Sequence, residues 1–490
     1  MTDGRAAAAF RKEILRSNMS KKEKINEKGV PYGAREHMPL WYPLAWSTRG
    51  ISAALNVIFI GYISFYASDV LGLNVTIIGT MLLASKVIDA CTDLCMGYIV
   101  DKTKTRFGKG RPYEVFIILE WIITIAMYAV PTGLSATGKY IWIFVTYVLI
   151  NAVCSTALGG VDSVYMARCF TSDKNRISAM SVNGAVVMIC SIIFNIIFPQ
   201  FVESAGTSPS AWTQLAIVMG IPLAIIGILR FLICTEVPMD EAVEAAEAAE
   251  KAKKKQAEKM SLVEMLKIVT KNKYLYFLIG FMFITYVINN IGTATTYYFK
   301  YIVGNIGLQS VINMTALITP VILILFPMLA KKFGTTMLLR IGMAMGVIGL
   351  AIRAIGGTTM ATLLIGSLFA SVAVLPISMM INTYLIDTMD YGEWKSGVRI
   401  EGLYASINNF AGKLGQGCAS GLVGLVLGLA GYDGTLEVQS ASANMAIGGM
   451  YNIFPLVCYA VMFVLAMFYK MDDVRPQMQA DLAAKRAKNQ

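Results

Sequence analysis

Twelve apolar segments, each about as long as a helix needs to be to cross a bilayer, recur along this chain. They lie near residues 40–66, 75–99, 113–133, 141–167, 177–199, 213–233, 274–299, 310–330, 336–356, 360–387, 400–430 and 444–469. Hydrocarbon offers no hydrogen-bond partner, so the backbone of each segment must satisfy itself, and an α-helix does so within one segment. Only 15% of residues are charged, against about 25% in soluble domains. The chain therefore reads as an all-α membrane protein of twelve transmembrane helices, with membrane lipid as its immediate partner.

Loop charge orients these helices. Lys102, Lys104, Arg106, Lys109 and Arg111 follow the second segment, Arg168, Lys174 and Arg176 the fourth, Lys331 and Lys332 the eighth, and Lys395 and Arg399 the tenth. The alternate loops 200–212 and 431–443 carry no basic residue, and 134–140 carries only Lys139. Basic loops stay in the cytoplasm, which predicts cytoplasmic N- and C-termini and a multi-pass protein of the cell (inner) membrane. The formal net charge of +11 is then a topology signal, and no nucleic-acid partner is expected. Residues 1–37 are polar and lack the apolar stretch of a signal peptide.

One strongly polar stretch, DEAVEAAEAAEKAKKKQAEK, divides the segments six and six. Ala, Glu and Lys favour helix, and Glu247–Lys251 and Glu250–Lys254 fall in the stabilising i, i+4 order. The predicted organisation is an N-terminal arm (1–39), a six-helix bundle (40–234), a cytoplasmic linker (235–272), a second six-helix bundle (273–470) and a tail (471–490). Two bundles that rock about a midplane site are a plan of secondary transporters.

Charges inside apolar segments are costly and mark function. Asp89 and Asp93 stand four residues apart in VIDACTDLCMGYIV, with Lys86 one turn before them. Carboxylates at i and i+4 share a helix face about 6 Å apart along the axis, and such a pair gathers a cation or shares a proton. Lys413 is the sole charged residue between Glu401 and Asp433, and its ammonium needs a partner that the acidic pair supplies. Two further stretches place charges at predicted cytoplasmic helix ends: Asp101, Arg106 and Arg111 in DKTKTRFGKGRP, and Asp387, Asp390, Glu393, Arg399 and Glu401 between segments ten and eleven. A solvated turn is the bland alternative to a cytoplasmic gate. No Walker-type sequence occurs, and no nucleophile–base pair accompanies the buried acids, so neither ATP hydrolysis nor another enzyme activity is expected. The eight cysteines and His37 read as structural residues.

The stretches VIDACTDLCMGYIVDKTKTRFGKGRPY and DYGEWKSGVRIEGLYASINNFAGKLGQG resemble the paired signatures of the glycoside-pentoside-hexuronide:cation symporter family, melibiose-permease-like proteins of the major facilitator superfamily. The similarity runs through most of residues 40–470. The resemblance implies the major facilitator fold and cation-coupled uptake of a sugar, glycoside or related small polar solute by alternating access. It implies that Asp89 and Asp93 form the core of the coupling-cation site, with Lys413 near both ion and solute and Lys86 in the same pattern. The chain departs from melibiose permeases where sugar is held: no acid occurs between His37 and Asp69, and Asp162, with Tyr165 nearby, stands at a shifted place in the fourth segment. The galactoside-binding pattern does not carry over.

The coupling ion is sodium or a proton, and no cofactor is expected. Sodium, favoured by the resemblance, would take oxygens from Asp89, Asp93 and a hydroxyl such as that of Thr92. A proton suffices if Lys86 and Lys413 neutralise the acids and leave one carboxylate to titrate. Candidates for the solute site are Arg49 at the start of segment one, Asp162 and Tyr165 in segment four, Asn289, Thr293 and Tyr297 in segment seven, and Asn409 in segment eleven. Each has a structural alternative: a snorkelling Arg49, a paired Asp162, or polar groups that glue helices. A transporter of amphiphilic or other non-sugar solutes, or a noncatalytic membrane sensor on the same scaffold, is the alternative reading. The protein is expected to act as a monomer.

Overall fold

The computed structural model describes residues 32–35, 38–103, 105, 108–236, 262–398 and 401–488. The arm up to residue 31, His37 and the charged linker segment 237–261 lie outside the described residues. We label the helices α1 (Trp41–Val70), α2 (Val75–Lys102), α3 (Phe116–Tyr128), α4 (Ala136–Cys169), α5 (Asp173–Ala205), α6 (Pro209–Ile233), α7 (Lys273–Val303), α8 (Ile306–Phe333), α9 (Thr335–Ile355), α10 (Met360–Ser396), α11 (Glu401–Leu429), α12 (Ala441–Phe468) and α13 (Met471–Lys488). Eleven helices among the described residues are long and apolar enough to cross a membrane. The third predicted span is the exception by length, being an α-helix only over Phe116–Tyr128. A 3-10 turn, Arg111–Val115, precedes it, and Ala129 leaves helical geometry two residues before Pro131.

A repeat invisible in the residues emerges in the backbone. α1 runs as a long helix to Ile60, breaks at Gly61–Tyr62, resumes over Ile63–Phe65 and ends in a π turn at Tyr66–Val70. α7 does the same: Lys273–Asn290, a break at Ile291–Gly292, Thr293–Tyr298, and a π turn at Phe299–Val303. The first helices of the two halves thus share one bent form, and they meet at their π turns. Two further π turns, Leu149–Ser155 in α4 and Gly449–Ile453 in α12, interrupt otherwise regular helices. Such insertions redirect side chains and concentrate at functional sites.

α2 and α11 cross in backbone contact. A Cβ built on Gly79 would fall 2.8 Å from the Gly424 Cα, and one on Gly424 would fall 2.6 Å from the Val75 carbonyl oxygen. Gly417 and Gly421 continue the stripe against Lys86 and Leu83. Small residues permit this approach, and dispersion between the apposed helices holds it. The stripe also sets the register of Lys413, one turn before Gly417, against the acids of α2. At the other end of the chain α13 docks on the second bundle. Met471, Met478 and Leu482 are buried, and Asp472 accepts hydrogen bonds from Thr335 Oγ1 at 2.7 Å and Thr336 N at 2.8 Å. Burial pushes the Asp472 carboxyl up, but these hydrogen bonds and Arg475 bring it below the usual range.

Candidate functional site

The acids of α2 face Lys413 of α11. Lys413 Nζ lies 3.4 Å from Asp89 Oδ1, contacts Asp93 Oδ2 and donates to the Asp89 carbonyl at 3.3 Å. Lys86 Nζ lies 3.8 Å from Asp89 Oδ2 and donates to Asn151 Oδ1 at 2.9 Å. Two carboxylates and two ammonium groups thus form one cluster. Exposure grades along α2, from 11% for the Asp89 side chain to 44% for Asp93. The cluster therefore grows wetter toward the Lys102 end.

A third oxygen joins the two carboxylates. Thr156 Oγ1 sits 3.1 Å from Asp89 Oδ1, 2.9 Å from Asp93 Oδ1 and 3.1 Å from the Asn151 carbonyl. Its one proton serves one acceptor at a time, so the remaining oxygens offer lone pairs to a hard cation. The π turn of α4 ends at Ser155 and delivers both Asn151 and Thr156 to this cluster. Thr92, the hydroxyl expected there, instead donates to the Asp89 carbonyl at 3.0 Å within its own helix. It is not among the described residues that line the cavity.

That cavity, of about 980 Å³, lies between the halves and contains the cluster. Asn289 and Thr293, two of the solute-site candidates, line it at the break of α7, together with Asn195, Gln309, Asn313 and Gln416. These four amides lie on three spans, Gln309 and Asn313 together on α8, and an Asn or Gln in an apolar run was the available sequence signal. Arg49, Asp162 and Tyr165 are elsewhere. Asp162 contacts Arg49 and accepts from Arg230 at 2.6 Å, while Glu114 lies 3.7 Å from Arg49 and 3.6 Å from Arg230. Tyr165 is buried and donates to the Cys234 carbonyl at 2.5 Å. The group ties α1, α4 and α6 together inside the first half, and sequence offered no means of choosing Arg230 as the partner.

The halves are closed at the end of the molecule marked by Asp69. Asp69 Oδ1 accepts from Lys300 Nζ at 2.5 Å and Tyr301 OH at 2.6 Å, and Oδ2 accepts from Tyr432 OH at 2.6 Å and Ser68 Oγ at 2.6 Å. Burial raises the Tyr432 hydroxyl far above its ordinary range, and the adjacent carboxylate adds to this, so Tyr432 remains a donor. Tyr297, expected at the solute, is instead buried in this closure with its hydroxyl 2.9 Å from Ser68 Oγ. Asn313 Nδ2 donates to the Asn195 carbonyl at 2.6 Å, and Gln200 Nε2 to that of Gly307 at 2.9 Å, extending the seam between α5 and α8.

Of the residues expected at a cytoplasmic gate, Asp387 and Arg111 bond within their own halves. Arg475 of α13 contacts Asp387 and lies 3.0 Å from Asp472, all within the second half. Arg111 donates to the Phe231 carbonyl at 2.8 Å, and Glu236 accepts from the backbone N–H groups of Lys109, Gly110 and Arg111 within the first half. Asp390 and Glu393 follow Asp387 on α10. Arg106 and Arg399, and the side chains of Asp101, Glu401 and Asn409, lie outside the described residues.

The family model of MFS/sugar transport proteins matches residues 52–473. The isoprimeverose transporter of Lactiplantibacillus pentosus is 27% identical over 435 residues, covering 87% of this chain and 87% of that protein. The glucuronide carrier protein homolog of Escherichia coli is 24% identical over 440 residues, with 88% and 92% covered. Among solved structures, the xylose transporter of E. coli in its inward-open conformation has the same fold, with a TM-score of 0.56 at 15% identity over 86% of this chain and 95% of that one.

Proposed function

This chain belongs to the MFS/sugar transport protein family, among its glycoside-pentoside-hexuronide:cation symporters, and from that premise we propose how its residues couple a cation to a sugar. The protein is a multi-pass membrane transporter that moves a sugar or related small solute together with a cation. Asp89, Asp93 and Thr156 receive the cation, for which sodium is our choice. The observation that carries this reading is the Thr156 hydroxyl standing within 3.1 Å of both carboxylates. Three hard oxygens suit a metal ion, whereas a proton needs only one carboxylate.

Lys413 supplies the coupling. Its ammonium belongs to one half and the acids to the other, so the ion pair is also a bond between halves. A cation seated between the acids takes over the negative charge that Lys413 holds. Loading and the Lys413 link then exclude one another, and the conformational balance follows the differential affinity of the ion for the two states. Lys86 keeps a second positive charge beside Asp89 throughout. The solute occupies the cavity against Asn289, Thr293, Asn195 and Gln309. Arg49, Asp162 and Tyr165 are assigned to holding the first half rigid.

On the orientation given by loop charge, the Asp69 end is extracellular and the termini are cytoplasmic. The Asp69–Lys300 closure is then the outer gate, and the arrangement described here is the cytoplasm-facing stage of alternating access. Asp387, Arg475 and Asp472 brace the inner end of the second half. Uptake of labelled sugars into proteoliposomes, driven separately by a sodium gradient and a proton gradient, tests the reading. Sodium-driven accumulation supports it; accumulation by the proton gradient alone overturns the choice of ion.

A further inference from the structure

Five acids are buried among the described residues: Asp69, Asp89, Glu114, Glu120 and Asp387. Four of them stand beside a base. Lys300 pairs with Asp69, Lys86 and Lys413 with Asp89, Arg49 and Arg230 with Glu114, and Arg475 with Asp387. Glu120 of α3 has no base within ion-pair distance among the described residues. It is 1% exposed, its Oε2 is without a hydrogen-bond partner, and its Oε1 meets only Ser155 Oγ, at 3.5 Å. A carboxylate left alone in a low-dielectric interior is costly, and a positive charge taken up beside it removes that cost.

The helices packed on α3 bring it no free base. α1 offers Arg49, α4 Asp162, α6 Arg230, and the turn before α3 Glu114; these two bases and two acids pair with one another and sum to zero. Arg49 acts on Glu120 only from beyond ion-pair distance. The Cys154 thiol of α4 is a further titratable group within electrostatic reach.

Ser155 lines the main cavity and Glu120 does not, so this single hydroxyl stands between the acid and the cavity. Ser155 also closes the π turn of α4, and the next residue is Thr156, which bridges Asp89 and Asp93. The charges around that bridge already balance, two carboxylates against Lys86 and Lys413. A sodium ion entering there adds one positive charge that nothing in either cluster offsets. Lys413, once displaced from the acids, still belongs to the cavity wall, so its charge stays in the sum.

We propose that Glu120 binds a proton while the cation site is empty and gives it up when sodium enters, so that the interior exchanges one positive charge for another. The Glu120 O–H bond breaks with its electron pair left on the carboxylate, Ser155 Oγ accepts the proton, and the Ser155 hydroxyl passes its own proton to water in the cavity. Sodium and the Glu120 proton then exclude one another, and by reciprocity sodium binds more tightly as pH rises. This rests on the sodium-site reading above and adds a separate proton site, since Glu120 makes no hydrogen bond to Asp89, Asp93 or Thr156.

The test adds sodium chloride to purified protein in weakly buffered detergent solution, with choline chloride as the control. A pH-indicator dye follows protons, and labelled sodium follows binding. Wild type should release protons as it binds sodium, and the sodium concentration for half-saturation should fall by up to about tenfold for each unit by which pH is raised. Glu120→Gln should bind sodium without releasing protons, with half-saturation several-fold above wild type at alkaline pH and nearly independent of pH above neutral. Glu120→Asp should restore the release at a shifted pH, and thermal unfolding reports whether each variant folds. Sodium bound by wild type with no proton released, or undiminished release by a folded Glu120→Gln, would overturn the proton site and leave the sodium site standing. If Glu120→Gln does not fold, Glu120→Asp decides, and release at the wild-type pH overturns the assignment. A wild type that binds no sodium contradicts both.

Discussion

Lys413 Nζ lies 3.4 Å from Asp89 Oδ1, an ion pair that joins α11 of the second half to α2 of the first at the wall of the central cavity. In the coupling proposed above, this one interaction neutralises the acids, competes with the cation and holds the halves together.

Replacing Lys413 by Gln removes that competitor. The sodium concentration giving half-maximal binding of labelled sodium should fall several-fold, while net uptake falls at least tenfold because the unloaded acids lose their neutralising partner during the return step. Sodium binding that weakens in Lys413→Gln would show that the ammonium assists the ion instead of excluding it.

Thr156→Ala deletes the hydroxyl bridging the carboxylates and leaves both acids in place. The sodium requirement for half-maximal uptake should rise about tenfold, equivalent to about 1.4 kcal/mol of lost interaction, with little change in solute affinity at saturating sodium. Thr92→Ala should leave the sodium requirement within twofold of wild type, since Thr92 bonds its own helix.

Asp69→Asn weakens four donors' hold on one carboxylate and should release the outer gate. In a chain whose native cysteines are replaced by serine and which carries Ser64→Cys in the cavity wall, labelling from outside by an impermeant maleimide should quicken at least threefold. Unchanged labelling would mean that the α5–α8 seam, not the Asp69 cluster, sets the closure.

Gly424→Val places methyl groups where the Val75 carbonyl oxygen lies 2.6 Å from a built Cβ. The overpacking costs about 1–3 kcal/mol and pries α2 from α11. Thermal stability should drop, and sugar uptake should fall even where the protein reaches the membrane in normal amounts.

How much of this was legible in advance follows from the cost of charge. Asp89, Asp93 and Lys413 stand in long apolar runs, where an unpaired charge is expensive, so sequence alone pairs them. Asp69 sits at the end of its span, where an acid is cheap, and its role depends on Lys300, Tyr301 and Tyr432 arriving from the other half. Thr156 was invisible for a different reason: a threonine costs little in a helix, and its position comes from a π turn that leaves no residue signature. Arg49 and Asp162 drew attention as charged solute-site candidates, but Arg230 and Glu114, from other segments of the chain, complete their pairing inside the first half. The bent form shared by α1 and α7 is a backbone repeat, and nothing in their residues announces it.

The most direct test of the central claim is sodium-driven accumulation of a transported sugar by Asp93→Asn in proteoliposomes, measured beside counterflow of the same sugar. Loss of accumulation with counterflow retained is the predicted result, because the solute site survives and the ion no longer drives it. Accumulation at the wild-type level would contradict the assignment of this carboxylate to the coupling cation.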